Sequence, residues 1–420
     1  MARSGLWLIV RRSLRQHALS TAVTVLSVGL ASGLAMSVFA ISKQTYDAFT
    51  GGPVGFDAVL GARGSQLQLV LNTVFHLETS PGNIPWSMYK AMAADRRVKL
   101  AIPYAVGDNY RGYRVVGTTP QIFSDFEYQV GKKLTPVTGG RPFDPSAREA
   151  VVGSQVAARL GLTVGEHIPL YHGVVFDSTQ RHNEQFTIVG VLQQTNTPSD
   201  RVVWIPIEAV YRMSGHVLRG TGQIYRARPG EEIPEEAREV SAVMIKLVSP
   251  QSGMSLDAMI NRQGKVATLA WPIAKSMADL FNKIGWVNRI LELVAYLVVA
   301  VAAGCVLASI YNTMNERRRE FAILRALGAR RATVFVAIVL ESTVITAMGV
   351  TAGIAVYVAI LGAATAAIRA QVGVVLDPFA VSPPLILAPV AMLIVGGLAG
   401  FIPAFKAYNT DVASHLVPIS

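Results

Sequence analysis

The side chains in this sequence that could bind a metal ion are two histidines and an aspartate in its central part. His172, Asp177 and His182 lie close together in the chain, and imidazole nitrogens and carboxylate oxygens are ordinary ligands of zinc. Their spacing matches no standard zinc motif, and the polar residues around them are typical of a hairpin on a protein surface. We therefore predict that the chain binds no metal ion.

Nucleotide hydrolysis would require a phosphate-binding loop of the form G-x-x-x-x-G-K-[ST]. The nearest matches begin at Gly131 and Gly264, and both lack the upstream glycine and the Ser or Thr after the lysine. The sequence contains no G-x-S-x-G elbow, and its single cysteine, Cys305, lies in an apolar window. We expect no catalytic residues, no enzymatic activity and no cofactor bound to this chain.

One acidic residue, Glu341, lies within an otherwise uncharged apolar window from Ala332 to Ile368. An ionisable side chain inside a membrane is costly and is a functional candidate by default. Glu341 could be a proton site, or it could couple or pack neighbouring helices. Since a lone acid makes a poor proton relay, we favour coupling or packing, and we do not expect an ion-coupled transporter.

The composition indicates a membrane protein with a large water-soluble part. Hydrophobic residues make up 51% of the 420 positions and charged residues 15%, whereas about 25% is usual for soluble domains. Of the net charge of +11, residues 43–289 carry +5 and the rest of the chain carries +6, crowded in short arginine-rich segments. No basic, aromatic patch accompanies this charge. A nucleic-acid partner is therefore not expected.

Four apolar windows are long enough to cross a bilayer, which takes about 20 residues. We assign the transmembrane helices to residues 18–42, 293–315, 332–368 and 378–405. Short arginine-rich loops remain in the cytoplasm. The cytoplasmic parts are then an elbow helix at 1–17, a loop at 316–331 and a tail at 406–420. The outer parts are a domain at 43–272, a stalk helix at 273–292 and a short loop at 369–377.

The outer domain is predicted to be mixed α/β. Short runs rich in Val and Ile, bounded by Gly, Pro, Asn or Asp, are typical of strands. These runs are Tyr113–Gly117, Ala150–Val152, Phe186–Leu192, Val202–Ile205 and Val243–Val248. Ser154–Leu160 is a helix candidate with Gly161 as its C-cap. The predicted fold is an α-helical membrane protein with four transmembrane helices and this large domain inserted between the first two.

Before the second span, apolar residues recur in alternating steps of four and three, which is a heptad pattern. This seam consists of Ile273, Met277, Leu280, Ile284, Val287, Leu291 and Val294. One interpretation is an amphipathic helix that faces the core of the outer domain. The other is a rigid stalk that continues the second span and packs near Tyr46 and Phe49.

The segment NERRREFAILRALGA at 315–329 predicts a short amphipathic helix that ends at Gly328. Phe321, Leu324 and Leu327 recur in steps of three, with Ile323 beside them. Such a helix could lie on anionic headgroups. It could equally insert its apolar face into a groove of a cytoplasmic partner.

Three glycine pairs with the spacing G-x-x-x-G lie in the first, third and fourth spans, and such pairs allow close helix contact. The pairs are Gly29/Gly33, Gly349/Gly353 and Gly396/Gly400. The sequence leaves open whether these faces pack within one subunit or between two copies.

The arginine-rich segment resembles the signature E-R-x-R-E-I-G-x-x-R-A-L-G-A of FtsX-like and MacB-like ABC transporter permeases. The matching residues are Glu316, Arg317, Arg319, Glu320, Arg325, Ala326, Leu327, Gly328 and Ala329. Phe321 and Ala322 depart from the signature, where Ile and Gly are usual. Fragments similar to the outer core domain of the family are 60–65, 115–120, 151–154, 188–192 and 205–206.

The resemblance implies a coupling helix that docks on a separate ABC ATPase subunit, where ATP and Mg²⁺ bind. Its residues would be Glu316, Arg317, Arg319, Glu320, Phe321, Leu324, Arg325, Leu327 and Gly328. The resemblance also implies two ATPase subunits and a second permease copy, for which we favour a homodimer, in the bacterial inner membrane. ATPase movement would be transmitted to the periplasmic domains to export or extract lipid-like cargo, with a periplasmic adaptor or acceptor protein and membrane lipids as further partners. A signalling scaffold that acts on a cell-wall hydrolase without transport is the open alternative.

Overall fold

The structure is a computed structural model that describes residues 2–51, 55–219, 222–228, 230–326, 328–380 and 383–409. The chain divides into two compact units. A helical unit comprises residues 1–45, 284–365 and 376–420, and an α/β unit comprises residues 46–283 and 366–375.

The described residues form helices of very different lengths together with many short strands. The helices are α1 Ala2–Gln16, α2 Ala18–Thr50, α3 Gln66–Thr73, α4 Trp86–Ala93, α5 Gln121–Ser124, α6 Ser154–Leu160, α7 Ile207–Tyr211, α8 Pro250–Asp257, α9 Ile273–Lys283, α10 Gly285–Glu316, α11 Arg318–Ala326, α12 Arg331–Val372 and α13 Pro383–Asn409. The strands are β1 Ala58–Ala62, β2 Ile84–Pro85, β3 Val98–Tyr110, β4 Tyr113–Thr118, β5 Glu127–Gln129, β6 Lys132–Lys133, β7 Glu149–Val152, β8 His167–His172, β9 Arg181–Val191, β10 Val202–Pro206, β11 Glu239–Val240, β12 Ala242–Leu247 and β13 Ala267–Ala270.

The main sheet of the α/β unit has nine strands in the order β13-β1-β12-β3-β4-β10-β7-β9-β8. In addition, β8 pairs with β3, so the strands from β3 to β8 close into a ring. The two remaining pairs, β2 with β11 and β5 with β6, form separate two-stranded sheets. Within the described residues, β13 is therefore the strand that ends the main sheet.

Successive residues of the central strands enter two different hydrophobic cores, because their side chains point to opposite faces of the sheet. On β10, Val203 and Ile205 enter one hydrophobic core, the first core of the α/β unit. Val202 and Trp204 enter the other, the second core. All five predicted strand runs overlap observed strands, namely β4, β7, β9, β10 and β12, and two of them end one residue beyond the strand. The predicted helix α6 is also present, and Gly161 ends it in the left-handed conformation at φ 67°.

A partly buried histidine beside the second core makes the stability of the α/β unit depend on pH. Burial and the nearby charges of Arg114 and Arg201 lower the pKa of His76 to about 3. The unfolded chain takes up this proton near pH 6.5 and the folded chain only near pH 3. Stability from this group is therefore complete above pH 6.5 and is lost as the pH falls toward 3.

We expect the free energy of unfolding to fall by about 1.4 kcal/mol between pH 7.5 and pH 5.5 on account of His76. His76 has a φ of 57°, which asparagine tolerates, so His76→Asn is the matched control. Urea unfolding followed by tryptophan fluorescence would measure both proteins at the two pH values. An equal loss of stability in the variant would contradict this prediction.

Four helices in the described part of the chain, α2, α10, α12 and α13, are long and apolar enough to cross a membrane. This confirms the predicted fold class, since the α/β domain lies between the first and second of them in sequence. The helices α2 and α12 extend past the predicted spans, to Thr50 and Val372, whereas α13 begins at Pro383 and not at 378. The predicted outer loop at 369–377 therefore begins within α12.

The predicted stalk helix at 273–292 is divided, which corrects the expectation of one continuous helix. The first helix ends at Lys283, Ile284 has φ −93° and ψ 4°, and the next helix begins at Gly285. Glycine has low helix propensity, and an apolar seam does not by itself require an unbroken helix.

The seam residues before the break at Ile284 differ in burial from those that follow it. Ile273 and Met277 are buried and Leu280 is partly buried in the second core of the α/β unit, as expected for an amphipathic core helix. The exposed members of the seam are Ile284, Val287, Leu291 and Val294. The predicted packing near Tyr46 and Phe49 is present, since both rings contact Phe281 of α9 at centroid distances of 5.6 and 5.7 Å.

The glycine pairs are used for packing within one subunit. A Cβ atom added at Gly33 of α2 would lie 2.7 Å from the carbonyl oxygen of Gly353 on α12, and one at Gly29 would lie 3.2 Å from that of Gly349. Gly396 and Gly400 of α13 lie against Thr346 and Ser342 of α12. All three glycine pairs therefore allow close contact between helices of the same chain.

Candidate functional site

The candidate site of the helical unit is a buried ionic cluster around Arg317, which lies between α10 and α11. Arg317 Nη1 donates to Ser13 Oγ at 2.6 Å and lies 3.4 Å from Glu341 Oε2. Ser13 Oγ in turn donates to Glu341 Oε1. These contacts join α1, the α10–α11 junction and α12 at one point.

The guanidinium group of Arg317 has further partners within its own segment. Its Nε donates to Glu320 Oε2 at 2.9 Å, and its centre lies 5.0 Å from the ring centroid of Phe321. Arg317 is only 6% exposed and Glu341 7%. Removing one member of such a buried pair leaves the other charge uncompensated, which is strongly destabilising.

A second contact lies at the same end of the helical unit. His17, between α1 and α2, places Nδ1 3.3 Å from Glu316 Oε2 at the end of α10. Glu316 is exposed and His17 is partly buried. The end of α10 is thus connected to the α1–α2 junction, next to the contacts that Arg317 makes with α1 and α12.

The amphipathic helix α11 turns its apolar side toward its own helical unit. Phe321 and Ala322 are buried, and Leu324 packs against the same core. Ile323, which is 46% exposed, points away from that core. Phe321, predicted as part of a docking surface, therefore anchors α11. Gly328 follows the helix with φ 97°, whereas Leu327 lies outside the described residues.

Sequence reasoning identified Arg317 and Glu341 but missed Ser13 and His17. Ser13 is 304 positions from Arg317, and a serine in a basic amphipathic helix carries no signal of a distant partner. His17 marks the short break between α1 and α2, which was predicted only as the end of an elbow helix.

The histidines that were considered as metal ligands lie in the α/β unit. His172 and His182 are brought together with two residues that the spacing did not indicate, Asp108 and His216. Asp177 is not in this group, since its Oδ1 accepts hydrogen bonds from the backbone and hydroxyl of Thr179.

The charge state of this histidine group follows from its contacts. Burial raises the pKa of Asp108, but hydrogen bonds from the three histidines outweigh burial and hold that pKa well below its usual range. The hydrogen bond to Asp108 raises the pKa of His172. Burial lowers the pKa of His182, but the contact with Asp108 outweighs it and leaves that pKa raised.

Long apolar helices and an α/β domain inserted between the first two define a multi-pass membrane protein with a large extramembrane domain. Two family models match this chain. The model described as FtsX-like permease C-terminal matches residues 292–412, and that described as MacB-like periplasmic core domain matches residues 21–252. The chain belongs to this family, the FtsX/MacB type of ABC transporter permease, with a periplasmic core domain.

Individual relatives are distant. The chain is 24% identical over 183 residues to the lipoprotein-releasing system transmembrane protein LolE of Haemophilus influenzae, which covers 43% of this chain and 40% of LolE. Among solved structures, the periplasmic region of MacB from Actinobacillus actinomycetemcomitans is 12% identical with a TM-score of 0.33, covering 55% of this chain and 94% of that one. The extracellular domain of the noncanonic ABC-type transporter YknZ from Gram-positive bacteria is 15% identical with a TM-score of 0.28, covering 50% and 97%. Permeases of this family typically lack catalytic activity.

Proposed function

We propose that this permease couples ATP hydrolysis by a separate ATPase subunit to movement of its periplasmic domain, and that this movement exports or extracts amphipathic, lipid-like cargo. The observation that carries the proposal is the buried contact of Arg317 with Ser13 and Glu341. Charged groups in such a contact are costly to separate. A force applied to α11 would therefore move α1 and α12 together with it.

The proposed docking surface is the exposed side of α11 and its ends. It consists of Glu316, Glu320, Ile323, Ala326 and Gly328, all of which are exposed. Ile323 is a large and exposed apolar side chain, which suits a groove on a partner. Phe321 and Leu324 lie on the opposite side of α11 and would hold the helix against the core of the helical unit.

The proposed assembly contains two permease copies and two ATPase subunits, with ATP and Mg²⁺ bound by the ATPases. The cargo class is supported by the LolE relative, which is described as part of a lipoprotein-releasing system. A lipid-anchored molecule would leave the membrane on the periplasmic side, where an adaptor or acceptor protein would receive it.

The docking surface is tested by the substitution Ile323→Asp. We expect at least about tenfold weaker association with the ATPase subunit, because a carboxylate would be desolvated in an apolar groove. The measurements are co-purification of the two subunits and ATP hydrolysis in reconstituted vesicles. ATP-dependent release of a lipid-anchored protein from the same vesicles distinguishes transport from a signalling role.

The matched control is Val130→Asp, the same kind of change at a side chain of the α/β unit that is 94% exposed. This variant should bind the ATPase as the unchanged protein does. If Ile323→Asp also kept full association and ATP-dependent release, α11 would not be the docking element.

A further inference from the structure

Four side chains of the α/β unit converge on one point although they come from four separate segments. Asp108 lies on β3, His172 ends β8, His182 lies near the start of β9, and His216 follows α7. One ligand atom from each of these four residues lies within 4.8 Å of the other three. Three histidine nitrogens approach the same atom, Asp108 Oδ1, at 3.3, 3.1 and 3.2 Å.

The hydrogen bonds in this group fix the direction in which the histidine nitrogens point. His182 Nδ1 lies 2.7 Å from the backbone oxygen of Ser214, so Nδ1 carries a proton and donates it. The other ring nitrogen, Nε2, then points at Asp108 Oδ1, 3.1 Å away. A metal ion at this point would take the place of the hydrogen bonds between the rings and Asp108, because imidazole nitrogens and carboxylate oxygens can each offer it a lone pair.

Hydrogen bonds from surrounding residues hold the His182 ring and the backbone next to His172 in place, as outer hydrogen bonds do for the ligands of metal sites. Ser214, which fixes His182, receives support from Glu184, whose carboxylate accepts from the Ser214 backbone at 3.1 Å and from its hydroxyl at 3.0 Å. Asn109 donates to the backbone oxygen of Gly173 at 2.8 Å, next to His172.

Access and ligand chemistry indicate the kind of ion. The side chains of Asp108 and His182 are each 3% exposed, whereas that of His172 is 55% exposed, so an ion could enter on the His172 side. Three imidazole nitrogens and one carboxylate oxygen suit zinc in four-coordinate geometry. Zinc bonds of about 2.0–2.1 Å place tetrahedral ligand atoms about 3.3 Å apart, close to the 3.1–3.3 Å that separate the three histidine nitrogens from Asp108 Oδ1.

We infer that Asp108, His172, His182 and His216 form a zinc site in the periplasmic domain. The ion would fasten the β8–β9 hairpin and the loop of His216 to β3. This inference is independent of the proposed coupling to an ATPase, since every residue in it belongs to the α/β unit.

The test uses the full chain in detergent, freed of metal with a chelator and titrated with Zn²⁺. We expect one zinc ion per chain by calorimetry and elemental analysis, and a higher unfolding temperature with zinc. His172→Ala, which changes the most exposed ligand, should weaken binding by at least about tenfold. Co²⁺ in place of Zn²⁺ should show the visible absorption of a four-coordinate site.

The matched control is His167→Ala, an exposed histidine on the same strand outside the group. This variant should bind zinc as the unchanged chain does. His216→Ala, with the tryptophan fluorescence of the unchanged chain as a check on folding, gives a second removal of a ligand. Zinc binding that is absent in the unchanged chain, or equally reduced in His167→Ala, would overturn the inference. Equal affinity for Mg²⁺ would also overturn it, because Mg²⁺ prefers oxygen ligands.

Discussion

Replacement of Gly33 by leucine is expected to prevent the close contact of α2 with α12. A Cβ atom at this position would lie 2.7 Å from the Gly353 carbonyl oxygen and 2.6 Å from Val356 Cβ. Because one of these atoms belongs to the backbone, a change of rotamer cannot relieve the overlap, and the helices must separate. We expect a cost of about 3 kcal/mol or more, at the upper end of overpacking effects.

The measurement is the yield of monodisperse protein in detergent together with its unfolding temperature. Gly304→Leu is the control, since Gly304 also lies in a membrane helix and a Cβ there would meet nothing within 4 Å. Equal yield and stability of the two variants would show that α2 and α12 do not pack through these glycines.

Replacement of Arg317 by methionine is expected to destabilise the helical unit by about 3–5 kcal/mol, because Glu341 would remain buried without its countercharge. The double variant Arg317→Met/Glu341→Met removes both charges. Replacing a buried pair by apolar side chains of similar volume is often neutral or stabilising, so the double variant should regain most of the lost stability. It should nevertheless fail to couple ATP hydrolysis to cargo release if the ionic contact transmits force.

Thermal unfolding in detergent and cargo release from vesicles separate these two effects. Arg330→Met, the same substitution at an exposed arginine in the loop before α12, should change stability by no more than about 0.5 kcal/mol. Full cargo release by the double variant would mean that the cluster is only structural.

Local sequence patterns predicted those helices and strands that are determined by the residues of a single segment. The four long helices follow from apolar length, and a strand such as β10 follows from a short Val- and Ile-rich run before a proline. The break at Ile284 was not predicted, because the apolar seam has the same spacing on both sides of it. Gly285 was the one residue of the seam region whose type indicated a possible end of the helix.

The ionic cluster around Arg317 and the histidine group around Asp108 were harder to predict. The fold brings together residues that lie far apart in the sequence. Asp108 is 74 positions from His182 and 108 from His216, so no motif of fixed spacing contains them. The sequence showed only His172 and His182, which lie on the two strands of one hairpin. Arg317 and Glu341 were both singled out, but their direct contact depends on how α10, α11 and α12 pack.

The ring of strands from β3 to β8 affects how the α/β unit can aggregate and how a partner can bind it. Pairing of β8 with β3 removes one edge of the main sheet, and β13 at the other end has only four residues. The outward amide and carbonyl groups of Leu269 on that strand already bond to the side chain of Asn261, at 2.9 and 2.7 Å. A short, capped edge resists strand-to-strand aggregation, and a periplasmic protein that binds this domain would have to recognise its side chains instead of adding a strand.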